Sequence, residues 1–259
     1  MAVIWIGLQI WLSVHAHAFT LEQVGLNGWS VKHLSVNVNY SSCPIPQGIL
    51  EKDIEHAFEL WNAVGTSNIR LVRGNISTTT ASSALAGTAL DAPVIVCDTA
   101  MSATIGRNAN GIPAWHRIDQ TAGTINYGTI LLNAETGMAS DITNLSRDQV
   151  TIALAHELGH VLGLGHSDDI SSLMHYNYPL KTHLRLSQDD IDGLTYLYTR
   201  VEPDEDKVFG CATTGDSGAG GPGPWIVLLS ACALLAFALR FRPEKLVRAN
   251  SRASGRNRY

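Results

Sequence analysis

Apolar and polar residues alternate over 33–40, with Leu34, Val36, Val38 and Tyr40 on one face, and this period of two predicts a half-buried strand. Beyond the breakers Pro46 and Gly48 the period changes. Leu50, Ile54, Ala57, Phe58, Trp61 and Val64 fall at helical spacing, which predicts an amphipathic helix over 49–64. Short apolar runs at 69–73, 94–98 and 124–133 read as further strands, and the Ser-, Thr- and Ala-rich stretch 75–92 reads as a surface loop. Ser146 with Gln149 spells a capping box that opens a second helix. Ser187 caps a third over 188–198, whose first turn carries Asp189 and Asp190 where the helix dipole favours them. The sum is an α+β domain of about 180 residues, an ordinary size for one core.

The ends differ from this body. Residues 2–14 and 224–241 are apolar runs within a chain of 259 residues that is 45% hydrophobic and 16% charged. Residues 19–223 carry 11 Lys+Arg against 22 Asp+Glu, whereas 240–259 carry seven Arg or Lys against Glu244 alone. An acidic body argues against nucleic acid as a partner, since phosphate binding needs a basic face. Residues 1–18 read as a secretory signal peptide, with Ala16-His17-Ala18 as a small-x-small cleavage site, although Lys and Arg are missing near its start. Residues 19–201 are then the folded domain, 202–223 an acidic and then Gly-rich linker, 224–241 a transmembrane or sorting helix and 242–259 a basic tail. Positive charge after the helix would keep the tail cytoplasmic and the domain outside.

Cysteine usage fits export. Cys43 follows the first strand and Cys97 ends another, which pairs them as a disulfide and leaves Cys211 over, with Cys232 inside the apolar run. Asn39, Asn75 and Asn144 each begin an N-x-S sequon.

The segment 156–166 reads His-Glu-Leu-Gly-His-Val-Leu-Gly-Leu-Gly-His. Two histidines four apart on a helix differ by about 40° in azimuth, so His156 and His160 point the same way. A continuing helix would carry His166 roughly 240° around, so the helix must stop. Gly163 permits the left-handed turn that stops it and brings His166 back. Three neutral imidazoles leave one open position on a zinc ion, as in a catalytic site, and Glu157 is placed to act on a water held there. A chance match of this chain's own residue frequencies to the five fixed positions is on the order of 10⁻⁴ or less.

On these residues the chain resembles the metzincin zinc endopeptidases, and among them the matrixins most. Ser167 follows the third histidine and Met174 lies eight residues past His166, matching the matrixin path to the methionine turn. The segments 57–61 and 186–198 are similar to the family's first and last helices, and the likeness spans about 19–199. The resemblance implies a twisted, mostly parallel sheet with three helices, and a zinc cleft between a larger N-terminal and a small C-terminal subdomain. It implies one catalytic zinc on His156, His160 and His166, Glu157 as general base, and protein or peptide substrates. It also implies that Asp190 braces the methionine turn, and that Asp189 can pair with an ammonium on Phe19 once the signal is removed. Gly210-Cys211, the Gly-rich spacer, the apolar helix and the Arg cluster resemble the C-terminal sorting signals of myxobacterial surface proteins, which would make Cys211 a lipidation site.

The chain departs from the matrixin pattern in three places. With cleavage expected after Ala18, the domain is expected to begin there directly, without a propeptide. Residues 99–133 lack a recognisable structural zinc or calcium set. Tyr176 stands where matrixins have proline, a spelling similar to the astacins, in which this tyrosine is a displaceable zinc ligand, so Tyr176 is a candidate ligand or oxyanion donor. His33, His56, His116 and His183 lack ligand spacing and read as surface or capping residues, while His175 is close to the site in sequence only. The Gly215-Asp216-Ser217-Gly218 sequence of a serine-protease nucleophile loop falls in the linker, without a domain to place a His and Asp around it. The expectation is therefore a secreted zinc endopeptidase anchored to a membrane or cell surface, with a catalytically silent binding protein on the same scaffold as the alternative.

Overall fold

A two-residue strand, β1 (Gly28–Trp29), precedes the alternating segment, which forms β2 (His33–Asn39). They belong to a computed structural model that describes residues 19–201. The remaining strands are β3 (Arg70–Ile76), β4 (Val94–Asp98), β5 (Ala114–Thr121) and β6 (Thr124–Asn133). They make one twisted sheet in the order β1-β6-β4-β2-β3, parallel throughout, with β5 added antiparallel to β6. A mostly parallel sheet must be covered to bury its faces. Here α1 (Gln47–Asn62) supplies Leu50, Ile54, Ala57, Phe58 and Trp61, all buried.

The sequence accounts for β2, β3, β4, β6, α1 and the two later helices, and misses β1, β5 and two short helices. The loop expected over 75–92 contains α2 (Ala81–Ala86), capped by Thr80 and closed by Gly87 at φ 73°. A further turn, α3 (Met101–Thr104), follows β4. With α4 (Arg147–Val161) and α5 (Gln188–Leu197) there are five helices among the described residues, not three. The antiparallel strand was hidden by its hairpin. Ala122 and Gly123 form the two-residue connection with φ of 52° and 83°, and alanine stands where Asn or Gly usually marks such a turn.

Helix α4 is the central element. It opens on the expected capping box of Ser146 and Gln149. Every residue from Val150 to Val161 is buried, so its histidines lie at the heart of the domain. Trp61 Nε1 donates to Ala155 O at 2.8 Å and ties α1 to it. The C-terminal carbonyls of α4, which lack helical partners, are met by side chains: Trp29 Nε1 donates to Val161 O at 2.8 Å and Tyr198 Oη to Leu162 O at 2.7 Å. Sheet, α1 and α4 make the larger N-terminal part. The residues after α4, with a 3₁₀ turn at Tyr178–Leu180 and α5, make the smaller one. Cys43 and Cys97 are joined in a disulfide, as the sequence paired them. Residues 1–18, read as a signal, the linker with Cys211, the apolar run 224–241 and the basic tail lie outside the described residues. No helix among the described residues is long and apolar enough to cross a membrane.

Candidate active site and metal centre

The end of α4 is a Schellman turn. Gly163 N donates to His160 O at 2.8 Å and Leu164 N to Gly159 O at 2.9 Å, with Gly163 at φ 104°. This reverses the chain, and His166 comes back over the two helical histidines. Its ring centroid lies 4.7 Å from that of His160 and 5.4 Å from that of His156. One ring nitrogen from each of the three histidines lies within 4.8 Å of the others, a set that could hold a metal ion.

The hydrogen bonds fix which nitrogens face inward. His156 Nδ1 donates to Leu173 O and His160 Nδ1 to Leu164 O, both at 2.8 Å. A carbonyl only accepts, so each Nδ1 carries the proton and each Nε2 presents a lone pair. The two Nε2 atoms stand 3.1 Å apart. Two lone pairs at that distance repel unless a cation lies between them. Burial also pushes His156 down to about 3, and burial with the neighbouring His160 lowers His166, so these imidazoles are neutral, the form that binds a metal. The donor set fits zinc: three imidazoles, two oriented by backbone carbonyls, with room for a fourth ligand.

Below them the methionine turn is the floor. Asp190 accepts from Leu173 N at 2.8 Å, from Met174 N at 3.1 Å and from the Ser172 hydroxyl, while capping α5 through Ser187. The brace expected of Asp190 is present. Asp189 is buried in the first turn of the same helix.

Glu157 is buried beside the three histidines, and both its oxygens are engaged. Oε1 accepts from the Tyr178 hydroxyl at 3.0 Å and Oε2 lies 2.8 Å from His116 Nδ1. The Tyr178 ring stacks on His156 with centroids 3.8 Å apart, and the His116 ring stacks on His160 at 4.0 Å. Burial would raise the Glu157 carboxyl, but His116 outweighs it and holds the group below the usual carboxylate range. Burial would likewise lower His116, yet Glu157 and Glu22 hold it up at about 9.

His116 therefore belongs to the site and corrects its reading as a surface or capping residue. Its signal was faint: a histidine on a strand whose hairpin turn is unmarked. Glu22 and Tyr178 were also missed. Tyr178 stands two residues past the tyrosine that the sequence singled out. Tyr176 itself lines the cleft, but the residue is 60% exposed and its ring leans on His175, with centroids 4.3 Å apart. His175 is buried and its Nδ1 accepts from Asn177 N. The cleft is walled on one side by Ala114, Trp115 and His116 of β5, whose outer edge pairs with no described strand.

The matrixin family model matches residues 115–199. Interstitial collagenase of Oryctolagus cuniculus is 27% identical over 179 residues, which cover 66% of this chain and 32% of that protein. Interstitial collagenase of Equus caballus matches to the same extent. That of Sus scrofa is 59% identical over 44 residues, or 17% of this chain and 9% of its own. The chain thus spans about a third of the length of the relatives that it matches most broadly.

Proposed function

We propose that this chain, which carries a matrixin-like catalytic domain, is a zinc-dependent endopeptidase with His156, His160 and His166 as ligands and Glu157 as general base. The observation that carries this reading is the pair of inward-facing Nε2 lone pairs 3.1 Å apart beside a buried, doubly held carboxylate. A zinc ion bound there supplies Lewis acidity, polarising a carbonyl and lowering the pKa of coordinated water from 15.7 toward about 7.

The chain's own groups do the rest. Glu157 takes the proton of the attacking water and returns it to the leaving amine. His116 and Tyr178 hold the two carboxylate oxygens, so the base is oriented before substrate arrives. The free edge of β5 along the cleft suits an extended peptide, which would add to the sheet as a further strand. Tyr176, at the rim, is the hydroxyl assigned to the developing oxyanion. Met174 contributes an apolar floor.

The proposed location is outside the cytoplasm. The Cys43–Cys97 disulfide supports it, because such bonds persist in oxidising compartments. The signal-like 1–18, the linker 202–223, the apolar 224–241 and the basic 242–259 are proposed as an export signal and a C-terminal anchor, through a helix or a lipidated Cys211. A plain test of the enzyme reading is cleavage of casein or a peptide library with and without a zinc chelator. Activity should vanish with chelation and return with zinc. Glu157→Ala should keep one zinc per chain and lose hydrolysis by several orders of magnitude. A zinc-loaded wild-type chain that cleaves nothing would favour a silent binding protein.

A further inference from the structure

Residues Thr20, Leu21 and Glu22 run along the loop that carries His166. Gly165 N donates to Thr20 O at 2.8 Å and Glu22 N to Gly163 O at 2.9 Å, an antiparallel bridge centred on Leu21 and Leu164. The Thr20 hydroxyl donates to His166 O. The two strands of chain are as close as backbone allows: a Cβ on Gly165 would lie 2.6 Å from Thr20 Oγ1 and 2.7 Å from Leu21 O. Phe19 continues the contact onto α5, against Gly193 and the Tyr196 ring. This segment is a strap over the metal loop, and what it delivers is Glu22.

The Glu22 carboxylate spans two rings. Oε1 lies 3.2 Å from His116 Nε2 and Oε2 lies 2.9 Å from His160 Nδ1. The His160 N–H already points at Leu164 O, so Glu22 adds a negative charge beside a proton that a carbonyl accepts. Through His116 the same carboxylate is one ring away from Glu157. We propose that Glu22 is a positioning residue of the metal centre. It fixes His160 as a zinc ligand and His116 as the support of the general base, and so makes the strap part of the active site.

The physical reason is that a carboxylate beside the far nitrogen of a ligating histidine fixes its tautomer and raises the basicity of the nitrogen that meets the metal. A second cation held by Glu22, His116 and His160 is the competing use of the same atoms. The ring geometry speaks against it. The two imidazoles are stacked with an interplanar angle of 17°, so their in-plane lone pairs run in near-parallel planes and do not converge on one ion.

The proposal rests on the zinc reading above, and the test separates the two. Zinc affinity of the full chain is measured by competition with a chromophoric chelator, for wild type and Glu22→Gln, alongside melting of the metal-free forms and visible spectra of the cobalt(II) forms. The glutamine keeps the size but loses the charge and puts an amide N–H against one of the rings. Glu22→Gln should bind zinc about 10- to 100-fold more weakly, shift the cobalt spectrum and lower kcat more than it changes KM, while the metal-free form, which loses the Glu22–His116 ion pair, melts somewhat lower but still cooperatively. A wild-type chain that binds no zinc overturns the zinc reading itself. Equal affinity and identical cobalt spectra in the two proteins overturn the role of Glu22. Should the variant fail to fold, the imidazole N–H resonances of zinc-loaded wild type decide. The His160 proton should lie downfield of the His156 proton, which meets a carbonyl alone, and equal shifts count against the proposal.

Discussion

Gly159 and Met174 touch: a Cβ on Gly159 would overlap the Met174 sulphur and lie 2.9 Å from Trp61 Cζ2. The glycine between the two helical histidines is therefore the contact that seats the methionine turn against α4. Gly159→Ala gains about 1 kcal/mol of helix propensity. It then forces Met174, itself buried, out of a filled space, and overpacking of this kind costs about 1–3 kcal/mol. Net destabilisation and weaker zinc binding are expected in thermal melting and chelator competition. A variant as stable as wild type would show that the methionine floor yields freely.

Asp190 accepts five hydrogen bonds, three from the methionine turn and two from Ser187. Asparagine keeps the shape but turns one oxygen into a donor facing backbone N–H groups. Each buried donor left unmet costs about 1–3 kcal/mol. Asp190→Asn should lower stability by about 2–4 kcal/mol in denaturant melts, since at least two donors lose their acceptor. A loss no larger than that of an ordinary helix cap, about 1 kcal/mol, would mean that the methionine turn holds without it.

Gly163 is the second backbone position that only glycine suits. At φ 104° a side chain is strained, and its Cβ would also approach Leu197 Cδ1 at 3.1 Å and Ile125 Cδ1 at 3.2 Å. Gly163→Ala is expected to cost at least about 1–2 kcal/mol and to displace His166 while sparing His156 and His160. Zinc affinity should fall while far-ultraviolet circular dichroism holds. Unaltered affinity would remove Gly163 from the argument for the third ligand.

The helix that carries His156 and His160 could be read from sequence because everything that makes it is local. Its cap, its two histidines one turn apart and its glycine stop fall within one short stretch, and helical geometry does the rest. The support of Glu157 could not be read that way. His116 reaches it from 41 residues away along an edge strand, and Glu22 lies 94 residues from His116. Only the sheet register and the strap bring these three together. The hairpin that carries His116 was concealed by Ala122, a residue that rarely takes the conformation required of it. Cys43 and Cys97, by contrast, are 54 residues apart and were paired correctly, because the ends of predicted strands gave each a place.

Tyr178, which the sequence did not single out, holds Glu157, whereas Tyr176 lines the cleft at its rim. The Tyr178 hydroxyl is buried on Glu157 Oε1, its ring lies on His156, and burial beside Glu157 pushes its pKa well above the ordinary value, so it stays a donor. Tyr178→Phe leaves the carboxylate short of one hydrogen bond. It should lower kcat by about 10-fold or more, since a bond to a charged group is worth about 1.5–3 kcal/mol. Tyr176 has no such bond, and its exposed ring is free to meet a substrate. If its hydroxyl stabilises the oxyanion, Tyr176→Phe should lower kcat with little change in KM, the signature of an interaction made only in the transition state. If Tyr176 serves only to bind the peptide, KM rises and kcat stays. Steady-state kinetics of both variants on one peptide substrate separates these outcomes. An unchanged kcat and KM in Tyr176→Phe would leave Tyr178, acting through Glu157, as the tyrosine of this turn that bears on the reaction.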